Sequence, residues 1–352
     1  SVFSRVVGEL TKRSSRAGRG GRRVAIVARE NPIDARVMSS ARVVPRGAFV
    51  VVLSPAKALN EATLTKRQRA IIAEVTQPRF AARAKAMAEE ARRELTAGKI
   101  KSLMGVSDAI ATLNVGRFEA FEGAETKPCA LAFDGPAFKH LNADGLETEE
   151  ETTYLQTHLR VLSGMYGVLR PYDAIAPYRM EMGTRWAPGA PKDLYEYWGT
   201  DIANCIADDV EAQAESTQTK PFVLNCASQE YWKSVKSDVL EKRGIPVYTA
   251  SFPGPAVYAK QARGAMVRHC IDAGVSSPQD LKTFVGTDGS WSYDGKASSE
   301  FNFVFTRGAK RAAGGDKGKA GGASSKRARS VSYTHLRAHE TRGNLVCRLL
   351  LE

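Results

Sequence analysis

Short apolar runs alternate along the chain with amphipathic segments. The runs at 49–53, 129–133, 222–225, 245–248 and 301–305 have the length and composition of buried β-strands. Apolar residues between these runs recur instead at the spacing of an α-helix. This alternation predicts one mixed α/β (α+β) domain over residues 48–307.

Several signals place the predicted helices. The region 79–121 has apolar residues at helical spacing, with Gly98 predicted to end the first helix and Ser107 to cap a later one. Asp193 is likewise a predicted N-cap, for a helix that runs to about residue 210. We interpret the helices of 79–121 as core-building elements with no chemistry in view.

A helix, a glycine-bracketed turn and a second short element are predicted next. Leu155, Leu159 and Leu162 share one helical face, and they predict an amphipathic helix that ends at about residue 162. Gly164 and Gly167 then bracket a tight turn, where positive φ or a close backbone approach is easily accommodated.

Two interpretations of this turn remain open. In the first, it is a helix C-cap and a turn in a packed domain, with Arg160 and Arg170 solvated or paired. In the second, the turn presents backbone N–H groups to a phosphate while the flanking arginines bind it. The second interpretation corresponds to a helix-hairpin-helix at 151–170, an element that contacts the DNA backbone and does not read bases.

Net charge gives only weak support for nucleic-acid binding, because of where the charge lies. The chain carries +13, but residues 1–48 contribute +8 and residues 308–329 contribute +6. The part from 49 to 307 has a net charge of −2. A nucleic-acid site in this part must therefore be a local basic patch.

The cysteines, the apolar runs and the known motifs limit the classes of protein to which this chain can belong. The five cysteines form no Cys-x-x-Cys pair and no zinc-like cluster, which predicts a reducing, intracellular setting without a metal. The sequence contains no run of 18 apolar residues, so no membrane span is predicted. It also contains no nucleotide-binding motif and no nucleophile motif, so neither a cofactor nor an enzyme class is predicted.

Polar and basic residues follow several predicted strands. Lys57 comes just after the first strand, and Asn225, Ser228 and Lys233 come at or after the strand at 222–225. The ends of strands are where α/β folds collect ligand-binding groups.

Five blocks of sequence together resemble the YaaA peroxide-stress family. They are SPAKAL, HLRVLSGMYGVLRPYDAIAPYRMEMGTRW, KDLYEYWG, LNCASQEYWKSVK and YAKQARGAM, in this order, within about residues 49–307. The resemblance implies an intracellular protein of the peroxide response that limits oxidative damage and keeps free iron low. It also implies the so-called cantaloupe fold, with a helix-hairpin-helix element, a positively charged cleft and affinity for double-stranded DNA. No established enzymatic activity comes with the family.

The resemblance and the positions of the basic residues together predict a DNA-binding or anion-binding set. Its members are the basic residues and turn residues of these blocks: Lys57, Arg160, Ser163, Gly164, Gly167, Arg170, Arg179, Arg185, Lys233, Lys236, Lys260 and Arg263. The predicted partner is double-stranded DNA, bound through its backbone, and iron lowering is expected to be indirect because no ligand cluster is evident.

An enzyme that acts on an anionic small molecule is the alternative. In that case Lys57, Asn225, Ser228, Lys233 and Arg263 would hold the anion, and Glu181 or Asp134 would act as acid or base. The loop that carries Asp134 departs from the family pattern, since the usual acid is displaced by two positions and a proline enters.

The two ends of the chain fall outside the resemblance. Residues 1–47 are rich in arginine and serine, which predicts an organelle transit peptide or a disordered basic arm. Residues 308–329 are predicted to be a disordered basic linker. The final 330–352 resembles a translated sequencing-adapter tail, and we assign no function to it.

Overall fold

A seven-stranded sheet forms the centre of the molecule in the computed structural model, which describes residues 47–308 except residue 73. The sheet order is β10-β11-β9-β8-β1-β5-β6, and these strands are β1 Phe49–Leu53, β5 Leu159–Ser163, β6 Gly167–Leu169, β8 Phe222–Cys226, β9 Val247–Ser251, β10 Trp291–Tyr293 and β11 Asn302–Arg307. Five of the strands are parallel, while β6 and β10 lie antiparallel at the two edges.

Four further strands form two small ladders beside this sheet. β2 Ala58–Leu59 pairs with β4 Phe133–Asp134, and β3 Lys127–Pro128 pairs with β7 Ala174–Ile175. Both ladders are antiparallel and two residues long.

Helices surround the central sheet. The described residues contain twelve: α1 Lys66–Ile71, α2 Ala81–Glu94, α3 Ala97–Met104, α4 Asp108–Glu119, α5 Cys129–Ala132, α6 Pro136–Leu141, α7 Glu149–His158, α8 Leu194–Trp198, α9 Asp201–Thr217, α10 Gln229–Trp232, α11 Ser237–Lys242 and α12 Ala256–Asp272. Helices α7, α9 and α12 all contact β1, and every residue of β1 is buried. A central parallel strand covered on both faces explains this continuous apolar run. The predicted mixed α/β domain is confirmed.

The predicted caps at Ser107 and Asp193 are confirmed. The Ser107 hydroxyl accepts from the Ile110 N–H at 3.4 Å, and the Asp193 carboxylate accepts from the Glu196 N–H at 2.9 Å. Gly98 does not end the first of these helices, because α2 already stops at Glu94 and Gly98 lies inside α3.

Three predicted elements are wrong, and the first is the helix from Asp193 to about residue 210, which Gly199 (φ +51°) divides into α8 and α9. The run at 129–133 forms one turn of helix and a two-residue strand, since the Cys129 and Ala130 N–H groups donate to carbonyls of the segment 171–173. The helix predicted to reach residue 162 ends at His158, and Leu159–Ser163 enters the sheet beside β1.

The helix-hairpin-helix assigned to 151–170 is therefore also wrong. α7 is followed by an antiparallel β-hairpin, in which Ser163 pairs with Gly167. Residues 159–163 have leucines at helical spacing, but they form a strand because they gain hydrogen bonds to both β1 and β6. The predictions for the two ends of the chain concern residues that, apart from 47 and 308, lie outside the described ones.

Candidate functional site

The carboxyl ends of the parallel strands define the first candidate region. The chain that leaves β1 next enters the sheet at β5, whereas the chain that leaves β8 next enters it at β9 on the opposite side. The two connections diverge between β1 and β8, which is where open α/β sheets place their ligands. Here a hydrogen bond joins the segments that follow β1 and β8. The Ser54 hydroxyl accepts from the Ser228 N–H at 2.8 Å and lies 3.2 Å from the Ser228 hydroxyl.

A nearly buried carboxylate gathers two of the predicted cations at this edge. Glu181 Oε1 accepts from the Arg179 guanidinium at 2.9 and 3.1 Å and lies 3.4 Å from Lys57 Nζ. The second oxygen of Glu181 is buried and has no hydrogen-bond partner among the described residues. One carboxylate thus offsets one of two positive charges, so that this group carries a net charge of +1.

The glycine turn supports this group by packing. A β-carbon on Gly164 would lie 2.3 Å from the Met180 carbonyl oxygen, so only glycine lets the segment before Glu181 cross the hairpin. Gly167 has φ +69° and faces the Trp198 ring, whose Nε1 donates to the Gly164 carbonyl at 3.0 Å. The turn is buried inside the fold and is not an open phosphate cradle.

Ser163 and two tyrosines complete the same junction. The hydroxyls of Ser163 and Tyr178 lie 2.6 Å apart, and the Tyr166 N–H donates to the Ser163 hydroxyl at 2.9 Å. The Tyr166 hydroxyl in turn accepts from the Ala176 N–H at 3.0 Å. Burial raises the pKa of both tyrosines far above the ordinary value, which keeps them neutral. These residues hold the 176–181 segment on the hairpin.

Two of the predicted arginines lie at the other end of the sheet. Arg160 is near the start of β5, and Arg170 follows the antiparallel β6, so both lie at the amino end of the parallel strands. Arg160 is buried and donates to Asp209 at 2.5 Å, while Arg170 donates to Asp173 at 3.0 Å. Neither guanidinium flanks the turn that separates them in sequence.

The remaining cations of the segments 179–186 and 229–236 lie on two segments that contact each other next to Glu181. Arg185 is exposed, and its segment is held on α10 by the Gly183 N–H, which donates to Glu230 at 3.1 Å. Lys233 is exposed at the end of α10 and lies 4.6 Å from the centre of the Tyr195 ring. We use the name carboxyl-edge strip for the group of Lys57, Arg179, Glu181, Arg185 and Lys233. Lys236 is half-exposed and follows this group in sequence.

Helix α12 brings Lys260 and Arg263 to the same end of the sheet, because it follows the carboxyl end of β9. Lys260 is exposed. Arg263 is partly buried, its Nε has no partner among the described residues, and burial lowers its pKa. Burial also raises the pKa of the nearby Cys226 thiol to about 12, so that Cys226 remains protonated.

The enclosed space at the carboxyl edge is very small. The pocket bounded by the 55–57 segment, the 178–181 segment and Tyr231 has a volume of about 10 Å³. A single water molecule needs at least that much room. This pocket cannot hold a substrate as it stands.

Helices α3 and α4 form a second candidate region, although their sequence predicts only core-building helices. Helices α3 and α4 pack against each other and are joined by the three residues 105–107. Gly105 has φ +60° and is exposed, Val106 is buried, and Ser107 caps α4. We call this unit the α3–α4 hairpin. The signal that could have identified it was a left-handed C-cap glycine two residues before an N-cap serine.

Lysines lie along the first helix of this hairpin. Lys99 and Lys101 are exposed, and Lys101 pairs with Asp108 at 2.9 Å. The start of α3 lies beside the carboxyl-edge strip, because the Trp186 Nε1 donates to Glu94 at the end of α2 at 2.8 Å. The hairpin and Arg185 therefore belong to neighbouring parts of the surface.

Neither a metal cluster nor a membrane span is found in the described part of the chain. Across 47–308, residue 73 aside, no three His, Cys, Asp or Glu side chains are grouped to hold a metal ion. Within the same residues, no helix has the length and apolar character required to cross a bilayer.

Comparison with known proteins identifies relatives along most of the chain. Residues 49–297 match the profile of the family described as Peroxide stress protein YaaA. A UPF0246 protein of Rhizorhabdus wittichii is 39% identical over 267 residues, which are 74% of this chain and 100% of that protein. UPF0246 proteins of Burkholderia mallei and Burkholderia pseudomallei are 38% identical over 268 residues, or 74% of this chain and 98% of theirs. The matched residues run from β1 through β10 and include both candidate regions.

Proposed function

Because the chain belongs to the family of peroxide stress protein YaaA, we propose that it limits oxidative damage by binding double-stranded DNA through the α3–α4 hairpin. The binding contacts the backbone and tolerates different sequences. Lower free iron is an indirect effect in this proposal, because no metal-ligand cluster is found among the described residues. The observation that carries the proposal is the exposed, glycine-containing turn between two packed helices.

Hydrogen-bond geometry at the turn supports a phosphate contact. A helix leaves its first N–H groups without intrahelical partners, and the Ser107 side chain takes only the one at Ile110. The N–H groups at the start of α4 can therefore donate to a phosphate oxygen, aided by the helix dipole. The exposed Gly105 has open space where a side chain would project, so a DNA backbone can approach closely.

Charges beside the turn supply the electrostatic part. Lys99 and Lys101 project from α3, and Arg185 lies beyond its start. The eight residues of α3 span about 12 Å, so a duplex that follows this helix can contact both the turn and Arg185. The Asp108 carboxylate repels a phosphate. Lys101 must give up its ion pair with Asp108 before it can pair with a phosphate.

A charge-reversal experiment tests this assignment. The double variant Lys99→Glu/Lys101→Glu should weaken binding of a short labelled duplex by roughly tenfold at low salt and reduce the slope of log Kd against log salt by about two. Fluorescence anisotropy on the full chain measures both quantities.

The matched control reverses two exposed lysines elsewhere, Lys66→Glu/Lys242→Glu, and changes the net charge by the same amount. It should leave the affinity within about twofold. Equal losses in the two double variants would show that overall charge, including that of the chain ends, governs binding and would refute the hairpin assignment.

The carboxyl edge supports a second candidate, an enzyme that acts on an anionic small molecule. Buried, unpartnered atoms of Glu181 and Arg263 favour it, since such atoms often mark functional sites. The enclosed volume of about 10 Å³ speaks against it, as does the Asn225 side chain, which already accepts from the Ala227 N–H at 2.9 Å. Asp134 pairs with Lys139 at 3.2 Å. We therefore rank this function below DNA binding.

A further inference from the structure

A cavity of about 660 Å³ lies between α4 and the segment that follows β2. It shares no lining residue with the carboxyl-edge strip. Its volume falls in the range of small-molecule sites, and its wall is largely apolar. The apolar lining comprises Leu59, Leu64, Leu113, Ala132, Ile175 and Pro177.

A buried lysine lies in the wall of this cavity. Lys127 is only 9% exposed, and its Nζ donates to the carbonyl oxygens of Asn60 at 3.1 Å and Ala62 at 2.8 Å. A lysine ammonium has three donors, so one N–H remains after these two bonds. In the described part of the chain, no carboxylate forms an ion pair with Lys127.

A second cation, Arg117, lines the same cavity. Its Nη2 pairs with Glu61, which offsets its charge, and its side chain is 13% exposed. The Nε of Arg117 is buried and finds no partner among the described residues. This N–H has almost no accessible surface, so a ligand in the cavity does not reach it, and the donor available to a ligand is that of Lys127.

The charge of the lining defines the ligand. The charged side chains around the cavity are three cations, Arg69, Arg117 and Lys127, and two carboxylates, Glu61 and Glu125, which leave a net charge of +1. Among the described residues, Glu125 and Asp144 act on Lys127 electrostatically but lie outside ion-pair distance, so the buried Lys127 can still pair with one negative charge of a ligand. The remaining N–H of Lys127 suits one oxygen of a carboxylate, in a charge-assisted hydrogen bond.

We propose that this cavity binds a small amphipathic monocarboxylate. One carboxylate oxygen accepts from Lys127 Nζ, while the apolar body of the ligand contacts Leu113 and Ile175. The site is independent of the DNA-binding proposal, because none of its lining residues belongs to α3, to the turn 105–107 or to the carboxyl-edge strip.

Titration of the full chain with two related probes tests the proposal. Octanoate should bind about tenfold more tightly than octanamide, which has nearly the same shape without the charge, as expected for a charge-assisted pair. Isothermal titration calorimetry measures both. Equal affinities, or no binding of octanoate, would overturn the proposal.

Two variants locate the site. Lys127→Met should abolish the preference for octanoate over octanamide. Leu113→Asp adds a negative charge at the mouth of the cavity, where Leu113 is 51% exposed, and should weaken octanoate binding without disturbing the fold. If Lys127→Met does not fold, Leu113→Asp decides the question.

The matched control for Leu113→Asp is Val257→Asp. Val257 is 48% exposed on α12 and does not line the cavity. Its replacement should leave octanoate affinity unchanged. Equal effects of the two aspartate variants would show that octanoate binds elsewhere and would overturn the assignment.

Discussion

At the scale of single residues, most of the arginines predicted to bind DNA already have a carboxylate partner. Arg160, Arg170 and Arg179 each donate to an aspartate or glutamate, and Arg160 is almost fully buried. A phosphate would have to displace those carboxylates, at a cost that buried pairs make large. The exposed Lys99 and Arg185 are therefore better placed to contact DNA.

A buried histidine makes stability depend on pH. His158 packs against the rings of both Phe49 and Tyr154, and its Nδ1–H donates to the Phe49 carbonyl at 2.8 Å. Burial lowers the pKa of His158 to about 4, from about 6.5 in the unfolded chain. The unfolded chain therefore binds the proton first, and stability falls as the pH decreases from about 6.5 towards 4.

We predict that His158 alone makes the folded state about 3 kcal/mol less stable at pH 4 than at pH 7. The variant His158→Gln should lose this part of the pH dependence, although it is less stable at pH 7 because the packing changes. Urea unfolding at pH 7, 5.5 and 4 measures the free energy of unfolding of both chains. Parallel loss of stability in the variant and the wild type would contradict the prediction.

At the scale of elements, the hairpin after α7 shows what local pattern can and cannot predict. The glycine turn was predicted at the correct residues, because Gly164-x-x-Gly167 is a local signal. Its flanks were predicted as helix, because the pairing of Leu159–Ser163 with β1 joins residues more than one hundred positions apart. The reason for the glycines is likewise non-local, since they face Met180 and Trp198.

The α3–α4 hairpin shows the reverse case. Its helices and the Ser107 cap were predicted from periodicity and capping, but its exposed turn was not recognised as a candidate site. Sequence spacing does not reveal which side of a helix pair faces solvent. The cavity beside α4 escaped prediction for a different reason, because its lining comes from four segments that are far apart in the sequence.

We predict opposite effects for two glycine replacements. Gly167→Ala should destabilise the fold by about 2 kcal/mol or more, because φ is +69° and the new β-carbon would lie 2.8 Å from the Trp198 ring. Gly116→Ala, in the middle of α4 with open space around it, should stabilise it by about 0.5–1 kcal/mol.

Urea unfolding at pH 7 provides the measurement for both variants. A neutral effect of Gly167→Ala would mean that the turn is not packed against Trp198 as described. A destabilising effect of Gly116→Ala would contradict the open environment of that helix face.

At the scale of the whole molecule, the sequence predicts the class of fold and the family but not the topology. Alternating strand-like and helix-like segments predicted a mixed α/β domain, and five ordered blocks predicted the YaaA family; both are confirmed. The sheet order could not be predicted, since it depends on which strands pair at long range. The near-neutral charge of 49–307 still requires any DNA site to be local.

The most direct test of the DNA-binding proposal is a footprint on the protein. Hydrogen–deuterium exchange of the full chain, with and without a duplex at low salt, reports which backbone amides become protected. We predict protection of residues 97–110 and 183–186. Protection confined to 1–46 and 309–352, or to the 160–170 hairpin, would contradict the assignment of DNA binding to the α3–α4 hairpin.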